Sequence, residues 1–247
     1  MDDDDDFFTN LDSGNDHFQN RLRNAPHDDD DVPMPAALPL FEEGEGETPL
    51  QQLIRHWMNE RHAPDVLPFA EDVLSGLLDH IRRQSETVQL LRSDPSSSEE
   101  EHFRTMLAQT EVERVKFVVR SYLRTRLFKI EKFARYIMTN PEVQQRLSEN
   151  EVDHARRFAK LTDQHFYVSV LQGLPDNQQT LDDKTPFLPP MIAEPDKSHA
   201  VFVHARQRCP PVRLLDGSTL TMQKGHVSLT PYSVVEQLVM RGEVELV

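Results

Sequence analysis

The stretch Glu113–Lys132, ERVKFVVRSYLRTRLFKIEK, tells more than any other part of this 247-residue chain. Val112, Val115, Val119, Leu123, Leu127, Ile130, Phe133 and Ile137 recur three or four residues apart, the repeat that lines one face of an α-helix. Arg114, Lys116, Arg120, Arg124, Arg126, Lys129, Lys132 and Arg135 occupy most of the remainder. Phe117, Val118 and Phe128 widen the apolar face beyond what one neighbour covers. So long a stripe must be covered, and the chain looks short of segments to cover it. The expectation is a helix built to pack against another subunit.

Upstream, Thr48 is a good N-cap and Pro49 sits at the first helical position, where its missing N–H costs nothing. Leu50, Leu53, Ile54, Trp57 and Met58 then follow helical spacing until Pro64. A second helix is predicted from about Leu67 to Arg92, burying Phe69, Val73, Leu74, Leu77, Leu78, Ile81, Val88 and Leu91. Ser93–Ser97, with Pro95, reads as a loop. Ser98 and Glu101 form a capping box opening the longest helix, predicted to run to about Met138 and stop at Asn140-Pro141. Ser148 and Glu151 repeat the box and open a last helix through Phe158, Phe166 and Val170 to Gly173.

From residue 174 to 197 the pattern dissolves into polar residues and five prolines, a linker. Beyond it, strands are predicted at Ala200–Ala205, Thr219–Met222, His226–Leu229 and Glu243–Val247. Turns fall at Asp216-Gly217 and Lys224-Gly225, and a short helix spans Tyr232–Met240. About 50 residues is marginal for a free-standing domain, so this module is expected to lean on neighbours. The fold class is mainly α with a small β-rich C-terminal domain, divided as an acidic tail over 1–47, a helical domain over 48–173, the linker over 174–197 and the β-rich domain over 198–247.

Charge is unevenly placed. Fifteen Asp and Glu against Arg21 and Arg23 put −13 of the formal −15 into residues 1–47, leaving −2 for the rest. With little apolar material, that tail is expected to be disordered. No apolar run approaches the roughly 20 residues of a membrane span, and five leading aspartates are the opposite of a signal peptide. Cys209 is the only cysteine, so no intramolecular disulfide and no CxxC knuckle can form. A soluble, unexported protein of a reducing compartment is expected.

Several pieces, in order, carry a family resemblance: WMNERHAP at Trp57–Pro64 with Val66 and Leu67, ERV at Glu113–Val115, RSYLRTRL at Arg120–Leu127, KIEKFA at Lys129–Ala134, Leu147-Ser148, Phe158-Ala159, EPD at Glu194–Asp196, Val201-Phe202, Lys224-Gly225, Tyr232, Leu238-Val239, Gly242 and VEL at Val244–Leu246. In these the chain resembles the Sld5-type (fourth-subunit) family of the GINS complex, in a form of fungal type. The resemblance implies a helical A domain followed by a small β-rich B domain, and long helices that pack against three paralogous subunits in a pseudo-symmetric tetramer. It further implies a place in the eukaryotic replicative helicase with Cdc45 and the MCM hexamer, links to DNA polymerase epsilon, a nuclear location, no cofactor and no chemistry of its own. Within it, Val115, Val119, Tyr122, Leu123 and Leu127 are the expected helical interface, and Val244 and Leu246 the anchors of the B domain.

The candidate chemical sites are weaker. The basic residues from Arg114 to Arg135 could hold phosphates by counterion release. Against that, Glu131 pairs with Arg135 at i, i+4, and no aromatic is interleaved on the basic side to stack bases. DNA binding is expected to be weak at most. His199, His204, Cys209 and His226 match no closed zinc site, His204 having no clear partner, and His56 and His62 lack an HExxH setting. No GxSxG, GxxxxGK[ST] or GxGxxG occurs, so an enzyme is not expected. In the tail, Phe7, Phe8 and Leu11 within DDDDDFFTNLD would form a small apolar face if helical. This resembles the short motif by which replication proteins dock onto a trimeric Ctf4/And-1-type adaptor. The tail also leaves open a different class, an acidic chaperone or DNA-mimic binding module.

Overall fold

The computed structural model describes residues 47–93, 98–179, 181, 192–214 and 217–247. Helix α1 spans Pro49–His62 and begins with a reciprocal cap: the Gln51 amide donates to Thr48 Oγ1 at 3.3 Å, and the Thr48 amide donates to Gln51 Oε1 at 2.9 Å. Glu47, grouped with the tail by its charge, instead accepts from Arg55 and, at 3.1 Å, from Arg206. Helix α2 covers Glu71–Ser93, starting later than the predicted Leu67. The chain between α1 and α2 stays extended because prolines 64 and 68 disfavour helical geometry in the residues before them, and because its polar backbone atoms are taken: the Leu67 carbonyl by Arg126 (2.7 Å), the Phe69 amide by the Arg146 carbonyl (2.9 Å).

Helix α3, Glu99–Lys132, is the long one, about 51 Å at 1.5 Å per residue. Its Ser98–Glu101 capping box forms as predicted. It stops short of Met138 because Phe133 leaves helical geometry (φ −108°, ψ 18°), burying its ring with Val66, Ile130, Ile137, Val143 and Ala155. Packing there wins over helical continuity. Short helices α4, Ala134–Thr139, and α5, Pro141–Gln144, follow, and α6 spans Glu149–Ser169 behind the predicted Ser148–Glu151 box.

The C-terminal part holds β1 Ala200–Ala205, β2 Val212–Arg213, β3 Thr219–Leu220, β4 Val227–Pro231, helix α7 Tyr232–Met240 and β5 Val244–Leu246. Strands β4, β1 and β5 form one antiparallel sheet in that order, with Phe202 opposite Leu229 and Val203 opposite Leu246. β2, not anticipated, pairs with β3. Alternation along β1 buries Val201, Val203 and Ala205 against Tyr232, Val235, Leu238 and Val239 of α7. Gly225 and Gly242 turn the chain with φ of 83° and 70°, where a side chain would be strained.

This small sheet does not close its core alone. Ala63 and Leu67, from the connection after α1, complete it. Asn59 Oδ1 accepts the Leu246 amide at 2.7 Å, satisfying the outer edge of β5. The neighbour on which the β-rich part leans is its own helical part, and both belong to one compact unit.

Candidate assembly surfaces

At about 100° per residue, α3 carries two stripes on opposite sides. The inner one holds Ala108, Val112, Val115, Val119, Tyr122 and Ile130, all buried. Its cover comes from the same chain: Leu50 and Leu53 of α1 and Leu74, Leu77 and Ile81 of α2 form one cluster with Val112, Val115, Val118, Val119 and Tyr122. The premise that this stripe lacks cover within the chain is therefore corrected. Val115, Val119 and Tyr122 lie in the interior and offer no surface to a second subunit. Leu123 is half-buried against the same cluster, so a charge there disrupts the chain's own fold before any partner is considered. Of the five residues, Leu127 alone is exposed.

The outer stripe is different. Phe103, Met106, Phe117 and Phe128 fall within about 60° of one another around the axis, and each stands more than half exposed, Phe128 at 68%. Single exposed apolar residues are ordinary; these four form a broken row on one face of a helix already sealed on the other, with Met106, Phe117 and Phe128 eleven residues, about 16 Å, apart and polar side chains such as Thr110 and Ser121 between them. Leu90, Leu107 and Leu127 lie exposed beside it or on the neighbouring α2.

Where the inner stripe reaches Arg126 it becomes ionic. The Arg126 guanidinium is fully buried, donating to both Glu151 oxygens at 2.8 and 2.9 Å, to Glu60 Oε2 at 3.0 Å and to the Leu67 carbonyl. Phe69 and Tyr122 lie near it, ring centroids 5.2 and 5.8 Å from Cζ. Burial lowers the affinity of the guanidinium for its proton, but Glu151 and Glu60 more than restore it, and the net shift is upward. Lys129 Nζ donates to Glu60 Oε1 at 3.0 Å and to the Asp65 carbonyl at 2.9 Å; burial dominates there and holds its pKa below the usual lysine value. Burial also raises the Tyr122 phenol, whose oxygen accepts the Ala70 amide.

The network continues into the β-rich part. Arg146 bridges Asp65 (3.1 Å) and Glu236 of α7 (3.2 Å), and Lys197 reaches the same two carboxylates at 3.3 and 2.9 Å. Burial works against the Lys197 ammonium, yet its bonds to Glu236 and Asp65 leave its pKa raised. Four cations thus face four carboxylates, so the joint is internally compensated. Val244 and Leu246 are buried on the sheet side, within the cluster completed by Ala63 and Leu67.

These positions revise the basic face. Arg126 and Lys129 belong to the interior, while Arg114, Lys116 and Arg120 pair with Glu111 or Glu113 on their own helix. Arg135 meets Asp163, and Glu131 pairs with His154 rather than Arg135. An aromatic does stand beside the cations, Phe128. His204 has a partner across the sheet, Glu245 at 2.7 Å. Among the described residues no group of three or more His, Cys, Asp or Glu is gathered as a metal would need, and no helix is long and apolar enough to cross a membrane. Phe7, Phe8 and Leu11 lie outside the described residues.

The sequence reading missed the ionic joint, although its signal was present. Arg126 sits at the centre of the apolar stripe, one helical turn from Tyr122 and Ile130, where a charge must be buried and therefore paired. Several of the residues carrying the family resemblance meet here: Asn59 and Glu60 of WMNERHAP, Arg126 of RSYLRTRL, Lys129 of KIEKFA, and Val244 to Leu246 of VEL.

Comparison with known proteins agrees with that pattern. Residues 77–169 match the model of the GINS complex protein helical bundle domain, and residues 195–247 that of the DNA replication complex GINS protein SLD5 C-terminus. The chain is 39% identical over 204 residues to the DNA replication complex GINS protein sld5 of Schizosaccharomyces pombe, covering 82% of this chain and 94% of that protein. The chain belongs to the Sld5 family of GINS proteins. The Chaetomium globosum relative is 32% identical over 80% of this chain and 90% of its own length, and the human one 28% over 80% and 88%. Membership brings the chain into a DNA replication complex together with other GINS subunits.

Proposed function

We propose that this chain is a non-enzymatic architectural subunit of a GINS heterotetramer, acting in the nucleus as part of the replicative helicase with Cdc45 and the MCM hexamer. The observation that carries the reading is the outer stripe of α3, Phe103, Met106, Phe117 and Phe128, left bare on a helix whose inner stripe its own chain has sealed. Apolar surface arranged so is buried on association at about 25 cal/mol per Å², and in a GINS family member the paralogous subunits are its natural cover. The subunit thus holds other proteins in register, and ATP hydrolysis and strand separation belong to its partners. A contact to DNA polymerase epsilon is part of the same proposal.

The acidic tail adds a second, separable attachment through Phe7, Phe8 and Leu11 to a trimeric Ctf4/And-1-type adaptor, weak singly and useful through multivalency. Co-expression with the three paralogues tests the main reading. A stoichiometric complex on size exclusion is expected; a chain that elutes apart from all three overturns it. Deleting residues 1–46 should remove adaptor capture and keep the tetramer. Loss of every partner with the tail would instead favour the acidic chaperone or DNA-mimic class.

A further inference from the structure

At its C-terminal end the outer stripe runs into a groove between α3 and the end of α1, about 520 Å³ in volume. Pro64, Phe128 and Phe133 supply apolar walls, and Arg61, Arg124 and Lys132 stand around them. All three cations are exposed, and none has a carboxylate partner among the described residues, whereas nearly every neighbouring cation does. The Lys132 ammonium rests 5.2 Å from the centre of the Phe133 ring, over its face. An exposed phenylalanine sharing a groove with three cations that have no carboxylate partner among the described residues is a surface complementary to carboxylates flanking an apolar side chain.

We propose that this groove binds an acidic, aromatic-bearing segment of a partner protein. The proposal rests on the assembly reading above and specifies one contact within it. A carboxylate-rich segment meets Arg61 and Arg124, whose planar guanidinium groups donate to carboxylates in bidentate fashion, while its aromatic side chain stacks beside Phe128. Single-stranded nucleic acid is the rival occupant, since it also offers negative charge and flat rings. It is disfavoured by the surroundings. Nucleic-acid grooves track the backbone with a run of cations, and here Arg114, Lys116 and Arg120 along the same helix are spent on Glu111 and Glu113, leaving a local cluster of three in a body of net charge −2.

The test places a photoreactive benzoylphenylalanine at position 128 of the full chain, within the co-purified complex, and maps cross-links by mass spectrometry with and without a fluorescent dT15 oligonucleotide. The expected product joins position 128 to a partner segment rich in Asp, Glu and aromatic residues. Arg61→Glu with Arg124→Glu should lower its yield about fivefold or more, while the complex still elutes intact. Cross-links to a neutral or basic partner segment overturn the proposal while leaving the assembly reading standing; cross-links to dT15 alone, or to nothing, overturn the proposal and remove the cover assigned to Phe128, although the complex itself stands. A wild-type chain that forms no complex removes both.

Discussion

The two stripes of α3 make the same use of apolar residues for opposite ends. On the inner side, Val115, Val119 and Tyr122 are met by α1 and α2 and then by an ionic joint, so every group finds a partner within the chain. On the outer side, Phe103, Met106, Phe117 and Phe128 have none of this cover. Helical periodicity marks both stripes as apolar and does not say which one the chain covers itself. The difference lies in what surrounds them: an inner stripe interrupted by Arg126 and Lys129 requires buried carboxylates, and Glu60 and Glu151 of the same chain supply them.

That contrast can be broken from its strongest point downward. Arg126→Met should cost the isolated chain about 3–5 kcal/mol, because Glu60 and Glu151 would remain buried without their counter-ion; urea unfolding measures it. Ile130→Ala, on the inner stripe, should cost about 2–4 kcal/mol through the cavity left behind, against a change within about 0.5 kcal/mol for Phe117→Ala on the outer stripe. Equal losses for the two would erase the distinction.

Asp65→Asn should cost about 1–3 kcal/mol, since it removes one of the two carboxylate charges that Arg146 and Lys197 share. The loss should appear first in the β-rich part, as faster hydrogen exchange in α7 and β5 than in α1–α3. If all segments accelerate together, the joint is not a separable hinge.

The smallest effect is a pH dependence. Burial, then the Arg55 and Arg126 charges, hold the His56 pKa below its ordinary 6.5. The unfolded chain therefore binds the proton more readily, and stability is fully present above pH 6.5 and falls as pH drops through the folded-state value. His56→Gln should flatten that part of the curve, read from thermal midpoints across pH 5–8.

Much of this architecture is legible in the sequence alone. The capping boxes at Ser98 and Ser148 declare helix starts through local hydrogen bonds, and the Val201–Val203–Ala205 alternation declares a buried strand face, because both signals act within a few residues. What was not legible depends on distant pairing. Nothing local tells Tyr122 that Leu53 and Leu77 will cover it, or tells Arg126 that Glu60 and Glu151 will meet it from other helices. The choice of Val115, Val119 and Tyr122 as interface failed at that step. Several residues of the family motifs, among them Glu60, Arg126 and Lys129, lie where the chain holds itself together, so motif position alone does not mark the bare outer stripe. In the sequence Phe117 and Phe128 read as surplus width on the apolar face, and their exposure makes them residues available to a partner.

The most direct measurement takes the co-expressed complex with Phe117→Asp and Phe128→Asp on this chain, and determines its stoichiometry by size exclusion with light scattering, alongside the thermal midpoint of the same variant alone. Loss of the paralogues from a chain that melts as the wild type does is the expected result. A full complex carrying both aspartates would mean that the outer stripe faces solvent, and that the assembly surface lies elsewhere on the molecule.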